Sequence, residues 1–116
     1  MSLKEIVLKN RSYRRFYQDR KVSVKELEEL VDIARNVASG ANRQPLRYKV
    51  VCDASDNEQV FLTLKWAAAL TDWDGPKEGE KPAGYIIICS PVDVQAPRDE
   101  GIAAQTILLS ATEKGL

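Results

Sequence analysis

A chain of 116 residues, 44% of them hydrophobic and 29% charged, is long enough for one modest core, and its 17 basic side chains are balanced by 17 acidic ones. That neutrality argues against whole-molecule attraction to nucleic acid or to an anionic membrane surface. Histidine is absent, which removes the usual general base of Ser/His/Asp and Cys/His catalysis and the commonest zinc ligand, so demanding chemistry points to a bound cofactor.

The chain opens on a short amphipathic helix expected from Leu3 to Lys9, with Leu3, Ile6 and Val7 on one face. Charge then becomes local: residues 1 to 21 hold seven basic residues against two acidic ones, and "NRSYRRFYQDRK", residues 10 to 21, carries most of them. Arg11, Ser12 and Arg14 bring two guanidinium groups and a hydroxyl together within four residues. That set matches the charge and acceptor oxygens of a phosphate monoester through short charge-assisted bonds. The same stretch also reads as a solvated basic face whose arginines pair with surface acids. A third reading, single-stranded nucleic acid stacked on Tyr13, Phe16 and Tyr17, has no basic groove elsewhere to support it.

Ser23 followed by Glu26 forms a capping box, and Leu27, Leu30, Val31, Ala34, Val37 and Ala38 continue it at helical spacing. The helix is expected to end at "SGAN", residues 39 to 42, where Gly40 is the residue suited to positive φ and Pro45 prevents resumption. Ser39, Asn42 and Gln44 place small hydrogen-bonding side chains beside a glycine that lets backbone approach a flat ligand; an ordinary turn has the same composition. Residues 47 to 52 read as a strand, "ASDNEQ" as a turn entering a helix through about Leu70, and residues 71 to 84 as an exposed loop. "YIIICS", residues 85 to 90, is apolar and β-branched enough for a strand covered on both faces at a sheet's centre. Cys52 and Cys89 lie in apolar runs and read as reduced core cysteines. "RDEGIAAQTILLSATEKGL" suits a largely buried helix ending near Gly115. Two strands do not make a stable sheet, so further strands are expected from another chain or from sequence beyond Leu116. With no run of about 18 apolar residues and no apolar signal-peptide core, the chain reads as a single-domain cytoplasmic protein with no membrane partner.

"RSYRRF", the capped helix, "SGANRQPLRY" and "DEGIAAQTILLSATEKGL", in this order and spacing, resemble the nitroreductase family of flavin mononucleotide (FMN) enzymes, and "WDGPKEGEKPAGYIII" is similar to one branch of it. The resemblance implies an α+β fold, a central β-sheet flanked by helices, in a homodimer with the cofactor site at the subunit interface and C-terminal strands not present here. It implies that Arg11 and Ser12 meet the FMN phosphate and ribityl chain. It places Arg14 near N1 and O2 of the ring, where a cation favours the reduced flavin. Ser39, Gly40, Asn42 and Gln44 are implied to approach the ring, partly from the opposite subunit. The implied activity is ping-pong electron transfer from NADH or NADPH to a small electron-poor acceptor, a nitroaromatic or quinone, with no side chain as catalytic nucleophile. The alternative is a truncated, non-catalytic dimerising relative that does not retain flavin. Many members carry Arg where this chain has Asn10, and Pro and Trp where it has Ala38 and Leu46.

Overall fold

A computed structural model describes residues 1–116. Helix α1 spans Leu3–Lys9 and opens on a second capping box: the Ser2 hydroxyl accepts from the Glu5 amide while the Glu5 carboxylate accepts from the Ser2 amide. Only Ile6 of this helix is buried, and the Leu3 and Val7 side chains expected to share its inner face are exposed. Helix α2, Val24–Ala34, starts at the predicted Ser23–Glu26 box and buries Leu27, Leu30 and Ala34. It stops before Val37 and Ala38 because the last turn tightens, Asn36 and Val37 bonding to the carbonyls of Ile33 and Ala34. The Asn36 side chain also donates to the Asp32 carbonyl at 2.7 Å.

Strand β1, Arg47–Val51, pairs antiparallel with strand β2, Tyr85–Cys89, Arg47 standing opposite Cys89 and Val51 opposite Tyr85. These two strands form the whole sheet of this chain. β2 therefore has one hydrogen-bonded neighbour rather than two, and Ile87 and Cys89 face solvent, contrary to the expectation of a strand covered on both faces. Cys89 is exposed and Cys52 half-buried, so neither belongs to the core as the sequence led one to expect.

Between the strands, helix α3, Ala54–Phe61, is capped by Asp53, whose carboxylate accepts from the Ser55 amide. It ends nine residues short of Leu70, in successive turns that close at Thr63 and Leu64. The loop at 71–84 is irregular, as its glycines and prolines dictate, yet it is not wholly exposed: Gly75 and Pro76 are buried, and Gly75, at φ +102, lies against the Trp66 ring. Helix α4, Ala96–Lys114, ends at Gly115 in the left-handed conformation, as anticipated. It buries Ala96, Asp99, Ala103, Ser110 and Thr112 rather than its large apolar residues; Ile102 and Leu108 are exposed. Small side chains along that face let α4 lie close to α2, and α1 packs on the same helix. The architecture is α+β, with the core running between α2, α4 and β1. No helix is long and apolar enough to cross a membrane.

Candidate functional site

Residues 10–22 link α1 to α2 without helix or strand, with a turn at 18–20, and are fastened to the loop before β2. The Phe16 amide donates to the Glu80 carbonyl at 2.9 Å and the Gln18 amide to the Gly79 carbonyl at 3.3 Å. The Gln18 side chain closes the attachment, accepting from the amides of Gly79 and Lys81 and donating to Glu78. Beneath this crossing, Phe16 meets the edge of Trp66, Trp66 packs on Phe61, and the Lys81 ammonium lies 4.4 Å from the Phe61 ring centre. Lys81 bonds Glu58 and Glu78 at 3.0 and 3.1 Å, and those two carboxylates hold its ammonium above the usual lysine range.

This frame sorts the arginines. Arg15 is taken up by the protein itself, 3.4 Å from the Glu80 carboxylate and over the Trp73 ring. Arg20 is held by both oxygens of Glu26. Arg11 and Arg14 make no ion pair; their guanidinium groups bond only to the carbonyls of Asn10 and Ser12. Ser12 stands exposed between them. Two cations and a hydroxyl are therefore presented to solvent on backbone that is fixed at one end by the loop and at the other by Asn10, whose side chain accepts from Thr112 of α4 at 3.1 Å. Arg14 and Arg15 also border an open recess of about 510 Å³ floored by Ala69, Leu70 and Trp73.

The second motif folds into a tight, left-handed loop. Ser39 precedes a single 3-10 turn, Gly40–Asn42. Positive φ falls at Ala41, Asn42 and Gln44, near +50°, and not at Gly40, where the sequence had suggested it. A left-handed non-glycine residue costs on the order of 1 kcal/mol or more. Three within four residues persist only because neighbours hold them. The Gln44 amide bonds the Ser39 hydroxyl at 3.0 Å, and the Gln44 side chain donates to Asn42 at 3.1 Å. Arg43 pairs with Asp93 at 3.3 Å. Gly40 leaves room for Gln95: a Cβ there would come within 2.5 Å of the Gln95 side chain and displace it.

Ser39 and Gln44 line a smaller recess of about 140 Å³ together with Pro45, Leu46, Tyr48 and Asp99. Burial holds the Tyr48 hydroxyl above the usual phenol range. The structure brings Arg11, Ser12 and Arg14 together on one segment, and Ser39, Gly40, Asn42 and Gln44 together on another; Arg14 borders the first recess and Ser39 and Gln44 the second, and no hydrogen bond joins the two groups within this chain. Sequence reasoning missed Asp99, Gln95 and Asp93, which surround the second group. Asp93 carried a legible signal, standing just before a helix that begins Ala96-Pro97; its carboxylate accepts from the Gln95 and Ala96 amides, and those bonds keep it below the usual carboxylate range. Asp99 carried none, since its partner lies 59 positions away.

A model of the nitroreductase family matches residues 7–82. A search of the curated proteins returned no match. Among solved structures, a nitroreductase family protein from Clostridium difficile 630 is 30% identical with a TM-score of 0.72, the alignment covering 99% of this chain and 64% of that one. An FMN-dependent nitroreductase from Clostridium difficile R20291 aligns at 22% identity and a TM-score of 0.74, over 98% of this chain and 57% of that one. An oxidized iodotyrosine deiodinase bound to FMN and 3-iodo-L-tyrosine aligns at 19% identity and a TM-score of 0.72, over 98% of this chain and 71% of that one. The chain thus spans about three fifths of the length of most of these structures while sharing their fold throughout. With the family match running from α1 through the arginine segment, the left-handed loop and β1 to the loop before β2, this chain belongs to the nitroreductase family.

Proposed function

We propose that residues 1–116 form one domain of an FMN-dependent oxidoreductase, working as a homodimer with the cofactor between subunits. The observation that carries this reading is the pair of guanidinium groups at Arg11 and Arg14, left without carboxylate partners beside Ser12 on a backbone pinned from both ends. A surface arginine stretch with no ligand commonly pairs with neighbouring acids, as Arg15 and Arg20 do here. The residues fit FMN: Arg11 and Ser12 would hold its phosphate, Arg14 the pyrimidine edge, and the backbone and side chains of Ser39, Gly40, Asn42 and Gln44 the ring face contributed from a second copy. Separation of the two groups within one chain suits a site assembled from two. Exposed Leu3, Val7 and Leu8 on α1 and Ile102 and Leu108 on α4 offer apolar surface for that second copy.

Bound FMN supplies the redox chemistry, a ping-pong relay from NADH or NADPH to a small electron-poor acceptor such as a nitroaromatic or quinone. The protein orients it, excludes water and tunes it by charge, with Arg14 favouring electron density at the pyrimidine edge. No side chain is assigned as nucleophile or general base.

Titration of the purified chain with FMN, followed by flavin absorbance and fluorescence, tests the reading. Saturable uptake with a bound-flavin spectrum supports it. A chain that dimerises yet takes up no FMN at millimolar concentration is instead a non-catalytic relative that keeps the fold and not the cofactor.

A further inference from the structure

The left-handed loop at 39–44 is braced by its own hydrogen bonds and, from outside, by the first turn of α4. Asp99 is 1% exposed, and its Oδ1 accepts from the Gly40 amide at 3.0 Å and from the Gln95 side chain at 3.1 Å. Its Oδ2 is buried and has no partner, at the wall of the recess it shares with Ser39, Gln44 and Tyr48. Six positions earlier, just ahead of α4, Asp93 accepts from the Gln95 and Ala96 amides with one oxygen and pairs with Arg43 through the other. Gln95, between them, packs on Gly40 so closely that a Cβ there would displace its side chain.

A carboxylate taken fully out of water with one oxygen unbonded is costly, and an apolar residue would fill the same place more cheaply if packing were its only role. What it supplies is a fixed acceptor for the one amide that leads into three unfavourable backbone choices within four residues, at Ala41, Asn42 and Gln44. We propose that Asp99 is a positioning residue: by holding the Gly40 amide it fixes the 39–44 loop in the left-handed shape that meets the cofactor, before any cofactor is bound. The consequence for affinity rests on the FMN reading above; the consequence for the loop does not. Asp93 and Arg43 fasten the far side of the loop but sit near the surface, where an ion pair contributes little, so of the two holds from outside the loop Asp99 is the stronger.

The test separates the two consequences. Backbone amide exchange is measured on the whole chain without ligand, for the parent, Asp99→Ala, Asp99→Asn and Gly84→Ala, and FMN affinity is then titrated for each. Gly84→Ala serves as a control that destabilises through a clash at the far end of β1, with Val22 and the Val51 carbonyl. In Asp99→Ala, loss of a hydrogen bond to a charged acceptor should speed exchange of the Gly40–Gln44 amides by about 10- to 100-fold. FMN affinity should fall by a similar factor. Asp99→Asn, which keeps an acceptor oxygen in the same place, should fall between Asp99→Ala and the parent in both measurements, and Gly84→Ala should leave both at the parent's level. Faster exchange in a chain that never binds FMN would support the hold on the loop while removing the flavin reading. Unchanged exchange at Gly40–Gln44 in Asp99→Ala overturns the proposal whatever the affinity does. Faster exchange with unchanged FMN affinity overturns Asp99's positioning role toward the cofactor.

Discussion

Arg11 and Arg15 stand four positions apart on the same segment and meet different surroundings. Arg15 has a carboxylate and an indole to occupy it, whereas Arg11 has only a neighbouring carbonyl. Composition treats them alike; the structure does not. Arg11→Ala should weaken FMN binding by about 1.5 to 3 kcal/mol, the usual worth of a charge-assisted hydrogen bond, when measured by flavin fluorescence titration. Arg15→Ala should leave that affinity close to the parent value. Arg14→Ala should lower the midpoint potential of bound flavin in a redox titration, because a cation beside the pyrimidine edge stabilises the reduced form. Gly84 illustrates a different constraint: a Cβ added there would lie 2.6 Å from a Val22 methyl and 3.1 Å from the Val51 carbonyl. Gly84→Ala should therefore cost roughly 1 to 3 kcal/mol of stability, read from the urea midpoint.

Among the elements, α2 joins local electrostatics to acid stability. The Glu26 carboxyl is held down at about 2, first by the Arg20 guanidinium and then by the Ser23 amide. A carboxyl whose folded value is depressed adds stability that is fully present above its unfolded value and is lost as pH falls through the folded one. The chain should thus lose stability between about pH 4.5 and pH 2 through this group. Circular-dichroism unfolding across that window should show the loss, and Glu26→Gln, which cannot gain or lose the charge, should flatten it. α2 also packs on α4, and Ala34 of the first and Ala103 of the second are both essentially inaccessible. Ala103→Leu should overpack that contact and cost about 1 to 3 kcal/mol in the same unfolding assay, an effect of backbone approach rather than of polarity.

At the scale of the molecule, burial is shallow. Leu3, Val7 and Leu8 of α1 and Ile102 and Leu108 of α4 remain at the surface, and β2 keeps an unpaired edge. Such a chain gains much from anything that binds only its folded form. FMN at a hundredfold excess over its dissociation constant should raise stability by about 2.7 kcal/mol, visible as a concentration-dependent rise in melting temperature. Sedimentation over a wide concentration range should show dimerisation, and polar substitutions at Leu8 and Leu108 should suppress it if those side chains form the shared face.

Local chemistry was what the amino-acid sequence determined unaided: the Ser23–Glu26 box, the glycine stop of α4 and the irregular 71–84 loop all follow from residues within a few positions of one another. Where periodicity alone was the guide, it overran. Val37 and Ala38 fit a helical pattern that a tightened turn had already ended, and "YIIICS" has the composition of a central strand without the neighbours to make it one. Tertiary structure alone decided which arginines stay free, since Glu80 and Trp73 lie some sixty positions from the segment they serve. It also decided where the left-handed residues fall, because the acceptor that holds Gly40 comes from a helix 59 positions away. Contacts between residues so far apart in sequence leave no local pattern, and they become fixed only when the chain closes on itself.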